Sequence, residues 1–430
     1  MRSENFSLFK EGDTGKIEFL QLGEGKLLRT LIDPIIQHIV DNGWQITVTV
    51  TNLRDSGEHN IEMMKRQGGK YHIALRDDEQ ISVLNITCTK PLSLKEDWDA
   101  VVGIARSRNL FAIISNSTEA GFVNEMKMLD LNVRPTTFVG VLTLLLYVRY
   151  KAEINNKILI LPTELLPQNG NLLRSFANKQ RELWKLEQKF EEWLNNYVYF
   201  LNTLVDRIVV DVPDRQEYDQ LKKLNDPFIT VGESYGKWWI ESSEDMFGGI
   251  PLYESPEVEL VPDINSYYRM KVWLLNGPHL YLACWGLLHG YQTVFEVYSN
   301  ERMKVHIYSY WEEIKGIVDL PAETVDRFIT NTDKRFKQKW LEHKLSDIAT
   351  NIPQKWRARI EEPLLLRNEK EGRYGKEGLL ATATIMLYLS KKDKISTEEA
   401  MKRLTNNKDL IDQVFSLLDN GSPFLDFLLP

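Results

Sequence analysis

An α/β half followed by a mainly helical half is the fold class that this sequence predicts. Three observations carry the prediction. Short apolar, β-branched runs alternate with helical periodicity between residues 15 and 161. From about Asp263 to the C-terminus, helical patterns dominate. The length, 430 residues, exceeds what one hydrophobic core usually organises. The boundary is expected near residue 262, giving domains 1–262 and 263–430.

The elements follow in order. Lys16–Leu22 (KIEFLQL) is a strand, Gly23-Glu-Gly25 a turn, and Lys26–Val40 carries helical periodicity. Trp44–Thr51 (WQITVTVT) is a β-branched second strand, completing a β-α-β unit. Further strands are expected at Ile81–Thr87 and Leu110–Ile114, with a helix at about Trp98–Arg106 between them. Phe138–Lys151 is apolar enough for a buried helix, and Lys157–Leu161 (KILIL) for a buried strand. This alternation points to a mainly parallel sheet. Residues 171–204 read as one long amphipathic helix and Arg207–Val210 as a strand. Residues 226–261 read as short strands beside the main sheet, and Arg367–Lys376 as a surface loop.

Composition excludes several classes. Hydrophobic content of 43% and charged content of 27% are ordinary for a globular protein. A net charge of −8 offers no electrostatic footprint for nucleic acid or an anionic membrane. Two distant cysteines, Cys88 and Cys284, make no disulfide framework, and seven histidines contain no His-x-x-x-His pair, so no metal site is expected. The longest apolar run, Phe138 to Val148, is too short to span a bilayer. The opening MRSENFSLFKEGD lacks the apolar core of a signal peptide, so a cytoplasmic protein is expected.

Three segments carry chemistry in the α/β half. Gly23-x-Gly25 follows a strand and opens a helix, the context in which backbone N–H groups receive a pyrophosphate. A plain tight turn explains it equally well. Leu28 stands where a third glycine would complete the fingerprint, and the adjacent Arg29 is placed to offer phosphates a positive charge. After the second strand come Asn52, Arg54 and Asp55. Asn52 suits ribose hydroxyls, Arg54 suits a 2′-phosphate and Asp55 opposes one, leaving the phosphate preference open. Ser115-Asn116-Ser-Thr118-Glu119-Ala-Gly121 follows an apolar strand whose carboxyl end should face the ligand crevice, though the same residues suit an ordinary turn.

In the helical half, Lys271-Val-Trp-Leu-Leu-Asn276-Gly-Pro-His279 places an amine, a carboxamide and an imidazole within an apolar segment. Apolar neighbours would pull the lysine towards neutrality, as acid–base work near pH 7 requires. Helical geometry puts His279 roughly 80° and Asn276 roughly 140° around from Lys271, so the three can face one pocket. Pro278 interrupts the segment, because it lacks a donor and its ring should clash with the carbonyl of Leu274.

Taken together, these segments resemble the long-chain mannitol dehydrogenase family, NAD(P)-dependent polyol and hexuronate oxidoreductases without a catalytic metal. The resemblance spans nearly the whole chain. Its carriers are Gly23–Arg29, Ser115–Gly121, Leu161-Pro-Thr-Glu164 through Asn169-Gly170, Leu204-Val-Asp206-Arg207-Ile-Val209, and Lys271-x4-Asn276-x2-His279. Within the family, the chain is most similar to the tagaturonate reductase branch. The resemblance implies a Rossmann-like dinucleotide-binding domain and a helical substrate domain. It implies hydride transfer between NAD(H), with NADP not excluded, and an open-chain hexuronate. Lys271 would then be the general acid–base, with Asn276 and His279 as oxyanion donors. Cofactor contacts fall on Gly23, Gly25, Arg29, Asn52, Ser115, Asn116, Thr118 and Glu119. Substrate contacts fall on Glu164, Asn169, Asp206, Arg207 and Lys355, with Arg359 a further candidate for a carboxylate. A small-molecule sugar acid or polyol is the implied partner, on a monomer or weak homo-oligomer. A fructuronate reductase, a polyol dehydrogenase and a non-catalytic NAD-binding protein stay open as alternatives. Two departures matter. Leu165 stands where the polyol branch has a second asparagine donor, and Lys337-Gln-Lys339-Trp340 replaces the usual Asn-Pro-Tyr.

Overall fold

A computed structural model describes residues 16–77, 80–131, 133–418 and 424–428. The stretch MRSENFSLFKEGD lies outside the described residues. The chain divides into two compact units between Ile264 and Asn265.

The first unit begins β1 (Ile17–Leu22), α1 (Asp33–Asp41), β2 (Ile46–Thr51), α2 (Glu58–Arg66), β3 (Tyr71–Arg76), β4 (Ile81–Ile86), β5 (Thr89–Leu92) and α3 (Trp98–Ala105). It continues β6 (Leu110–Ser115), α4 (Phe138–Lys151), β7 (Ile158–Pro162), α5 (Asn169–Leu183), α6 (Gln188–Tyr197), β8 (Val198–Phe200), β9 (Thr203–Asp206) and β10 (Val209–Asp211). The last strands are β11 (Thr230–Glu233), β12 (Lys237–Glu241) and β13 (Val258–Val261). Six strands form a wholly parallel sheet in the order β5-β2-β1-β6-β7-β8. Successive side chains of a strand face opposite sides. Accordingly Phe19, Val48 and Ile114 join one apolar core with α1, while Leu20, Leu22 and Ile113 join another with α4. Burial on both faces is why these strands read as nearly continuous apolar runs. The strand order reverses about β1, so the carboxyl ends of β1 and β6 flank a topological switch point.

Several expectations need correction. Ile81–Thr87 forms β4, but it pairs antiparallel with β3 in a separate four-stranded sheet, β10-β11-β3-β4. The edge strand beside β2 is β5, whose Lys90 and Pro91 mask it from pattern reading. The single long helix expected over 171–204 is two helices followed by strands β8 and β9. Lys185, in a left-handed conformation, separates the helices. The strand expected at Arg207–Val210 is broken, with β9 ending at Asp206 and β10 starting at Val209. Residues 226–261 do form short strands, the last pairing as a three-stranded sheet β13-β12-β9.

The second unit is helical. The segment around Lys271 consists of α8 (Ile264–Lys271), a π-helical turn over Val272–Asn276, and α9 (Gly277–Leu288). Leu280 to Trp285 are buried on every face, which makes α9 the central helix of the unit. The loop expected at Arg367–Lys376 is mostly helix, since Glu362–Glu371 is helical and Lys376 opens the next helix. Gly375 precedes that helix without a capping side chain. The Glu313 carboxylate substitutes, accepting from the backbone N–H groups of Glu377 at 2.9 Å and Gly378 at 3.3 Å.

Among the described residues three π-helical turns occur, over Leu28–Ile32, Val272–Asn276 and Arg357–Glu361. Each is followed two residues later by a proline, namely Pro34, Pro278 and Pro363. A proline cannot donate to the carbonyl four residues back. In each case a distant side chain donates instead. Arg207 Nη1 reaches the Thr30 carbonyl at 2.6 Å, Trp311 Nε1 the Leu274 carbonyl at 2.8 Å, and Tyr310 Oη the Arg359 carbonyl at 3.3 Å. The conflict foreseen at Pro278 is thus resolved by a widened turn and an indole donor. No helix among the described residues is long and apolar enough to cross a membrane.

Candidate active site

The first unit carries a crevice of about 610 Å³ at the switch point. Gly23, Glu24 and Gly25 line it from the β1 turn, Leu53, Arg54 and Ser56 from the β2 turn, and Asn116, Ser117, Thr118, Ala120 and Gly121 from the β6 turn. Gly23 has φ +135°, and a Cβ there would press to 3.2 Å on Leu28 and 3.3 Å on the Asn116 carbonyl. Only glycine combines that backbone with that closeness. Asn116 is held against the crevice by its amide, which donates to Thr163 Oγ1 at 2.9 Å. A Cβ on Gly121 would overlap the Ser117 hydroxyl. A narrow, glycine-walled cradle at the start of a helix suits a pyrophosphate.

Other expected contacts have different roles. Glu164 is buried and accepts from Ser117 N–H at 2.7 Å and Ser115 Oγ at 3.2 Å, so it shapes the β6 turn. Burial raises its pKa against those hydrogen bonds. Asn52 is buried, its amide donating to the Arg54 carbonyl and Glu58, both at 3.0 Å, and its oxygen accepting from Leu94 N–H at 3.1 Å. It organises its own turn and does not line the crevice. Arg29 likewise points elsewhere. Its Nη1 donates to the Phe228 carbonyl at 2.6 Å, its Nε to the Glu24 carbonyl at 3.1 Å, and burial lowers its pKa.

Asn169 is fully buried and bolts three segments together. Its amide donates to the carbonyls of Pro162, Glu164 and Thr203 within 3.0 Å, and its oxygen accepts from Gly170 and Thr203 N–H, both at 2.9 Å. Gly170 follows because a Cβ there would collide with the backbone of Leu201 and Asn202. Arg207 staples Thr30, Tyr235 and Ser234 through their carbonyls. Lys355 donates to the Ile348 carbonyl and Thr350 hydroxyl, both at 2.8 Å. Asp206 is buried at the end of β9. Thr118 is exposed on the crevice rim, and Glu119 lies in the short helical turn Glu119–Gly121.

In the second unit, Lys271 ends α8, Asn276 ends the π turn and His279 lies in the first turn of α9. Lys271 and His279 are 8% and 6% exposed, enough burial for the lysine's charge to act strongly on the ring. The His279 ring packs 4.7 Å from Phe336 and 4.9 Å, edge to face, from His343. Its pKa is pushed well below the ordinary value, first by burial, then by His343, Arg335, Arg359 and Lys271. The imidazole is therefore neutral, a hydrogen-bond donor without net charge. Burial also holds His343 down, to about 4, and its Nδ1 has no hydrogen-bond partner. Arg359 Nη1 reaches the Asn276 carbonyl at 3.4 Å. Sequence reasoning passed over Arg335 and His343 as chemical groups. Arg335 and His343 stand eight positions apart in no pattern that marks either as chemical. Among the described residues no group of histidines, cysteines and carboxylates can hold a metal ion.

A dinucleotide cradle in one unit, together with a helical second unit that carries a buried lysine, a buried imidazole and an amide, is the equipment of a dehydrogenase, an oxidoreductase acting on CH–OH groups with a nicotinamide dinucleotide. The comparisons agree with that class. Residues 17–251 match the mannitol dehydrogenase Rossmann domain and residues 263–418 the mannitol dehydrogenase C-terminal domain. The chain belongs to the mannitol dehydrogenase family. It is 31% identical over 392 residues to an altronate oxidoreductase of Bacillus subtilis strain 168, covering 86% of this chain and 79% of the relative. An altronate oxidoreductase of Halalkalibacterium halodurans is 30% identical over 358 residues, covering 79% and 69%. Similar folds are found in the Pseudomonas fluorescens mannitol 2-dehydrogenase ternary complex with NAD and D-mannitol, at TM-score 0.74, 19% identity and 95% and 87% coverage. A substrate-free D-sorbitol dehydrogenase matches at TM-score 0.75, 19% identity and 97% and 92% coverage.

Proposed function

We propose that this enzyme interconverts a keto-hexuronate and its hexonate, tagaturonate and altronate, with NAD(H) as redox partner. The observation that carries the reading is the environment of His279. A neutral imidazole and the Asn276 amide stand with three cations, Lys271, Arg335 and Arg359, whose charges bear on the ring. Such a field suits a substrate that brings a carboxylate and develops an alkoxide. The names of the relatives point to the same substrate class.

When bound, the reduced nicotinamide supplies a hydride to the carbonyl carbon. Lys271, as ammonium, gives its Nζ proton to the carbonyl oxygen as negative charge builds there, and in the oxidative direction takes the alcohol proton back. Asn276 and His279 donate hydrogen bonds to that oxygen and orient it. The π turn sets the spacing, since its wider coil carries Asn276 and then His279 past Lys271 without a regular helix between them. Arg359 and Arg335 receive the carboxylate.

Lys271→Ala is expected to lower kcat by about 10²–10⁴-fold while dinucleotide affinity persists. Turnover near that of the wild type would overturn the assignment. A panel of tagaturonate, fructuronate and neutral ketoses, followed by the absorbance of the reduced cofactor, checks the substrate. Preference for a neutral ketose would displace the uronate reading.

A further inference from the structure

We infer that Tyr310 and Trp311 are positioning residues that divide the site between them. Tyr310 sets Arg359 for the substrate's carboxylate, and Trp311 sets Asn276 for its reacting oxygen. The inference rests on the uronate reading above and deepens it. Pro278 and Pro363 each leave a carbonyl without its helical donor, Leu274 in one π turn and Arg359 in the other. Both replacement donors come from consecutive residues of one helix, Glu301–Lys315. Trp311 Nε1 reaches the Leu274 carbonyl at 2.8 Å, and Tyr310 Oη the Arg359 carbonyl at 3.3 Å. Successive helical residues point about 100° apart, so one rigid element holds two turns at once. The two side chains are 0% and 1% exposed, so water cannot take their place at these carbonyls. Burial raises the pKa of Tyr310, which therefore keeps the proton that it donates. The turns also meet directly. Arg359 Nη1 lies 3.4 Å from the Asn276 carbonyl, and a Cβ on Gly277 would stand 2.9 Å from both the Arg359 carbonyl and the Tyr310 hydroxyl. A shift of either turn therefore moves Arg359 against Asn276. A guanidinium pairs well with a carboxylate only in a narrow geometry, so its backbone must be held.

The test is steady-state kinetics of the whole protein with tagaturonate and NADH. Tyr310→Phe should raise KM for tagaturonate about tenfold and leave kcat within about twofold. Trp311→Phe should do the reverse, lowering kcat about tenfold with KM within about twofold. Both substitutions keep a buried ring, and rates are read below each variant's melting temperature. Arg359→Ala should raise KM at least as far as Tyr310→Phe does. The double variant Tyr310→Phe/Arg359→Ala should be no worse than Arg359→Ala, because Tyr310 acts on KM through Arg359. A loss of stability alone would move neither constant of the folded enzyme in this pattern. An unchanged KM in Tyr310→Phe beside a raised one in Arg359→Ala would overturn the inference alone, as would additive losses in the double variant. An unchanged KM in Arg359→Ala would overturn it together with the carboxylate reading.

Discussion

Asp33 shows how a single buried group ties stability to pH. It is the first residue of α1, at 0% exposure and hydrogen-bonded by the Tyr71 hydroxyl, and burial pushes its pKa up to about 7. The folded state therefore holds a proton that the unfolded chain releases near pH 4. Stability from this group is full below that pH and lost as pH rises through about 7. Asp33→Asn is expected to leave the melting temperature unchanged near pH 4 and raise it at pH 8, by an amount worth a few kcal/mol, roughly. A pH-independent difference would contradict this. His343 acts in the opposite sense. Burial holds it at about 4, so its neutral form contributes stability above pH 6.5 that is lost as pH falls towards 4. His343→Leu is expected to flatten the acid limb of thermal stability over that window, read by calorimetry.

At the scale of elements, the paired π turn and proline is the device that shapes the segment from Lys271 to His279. Each proline removes a donor, and each orphaned carbonyl is met by a side chain from another segment. Trp311→Phe keeps the ring but removes the donor to Leu274, and is expected to cost about 1–3 kcal/mol, measured by denaturant titration. It should also lower kcat, since the same turn carries Asn276. Gly277 sits where a Cβ would stand 2.9 Å from both the Arg359 carbonyl and the Tyr310 hydroxyl, so Gly277→Ala should destabilise as well. Asn169→Ala should be more severe than an ordinary surface change. It strands carbonyls and N–H groups of β7, β9 and α5 without partners. The motif Asn169-Gly170 is thus architectural, although its composition resembles a substrate site.

For the whole molecule, the crevice belongs to the first unit and the Lys271 constellation to the second. Adding NAD(H) at a hundred times its Kd is expected to stabilise the protein by about 2.7 kcal/mol, read as a rise in melting temperature. Amide exchange should slow at residues 23–28, 53–57 and 115–121. Protection elsewhere, with none at these turns, would relocate the cofactor.

The α/β-then-helical order, the glycine turn after β1 and the Lys271-to-His279 spacing were legible in the chain. They depend on local pattern: apolar runs, β-branched strands, and glycine where a backbone must turn tightly. The sheet membership of β4 was not legible, because an exposed strand of the same composition can pair in either sheet. Nor were the roles of Arg29, Asn52, Asn169 and Arg207. Each is a polar residue in a motif, and only the positions of distant carbonyls, such as Phe228 for Arg29 and Thr30 for Arg207, decide that it is a staple. The tertiary structure alone also surrounded His279 with Arg335, His343 and Arg359, from segments more than fifty residues away. The physical reason is one of range. Periodicity and turn chemistry act between neighbours, whereas the partner of a buried polar group, and hence its task, is set by whatever folding brings within about 3 Å of it.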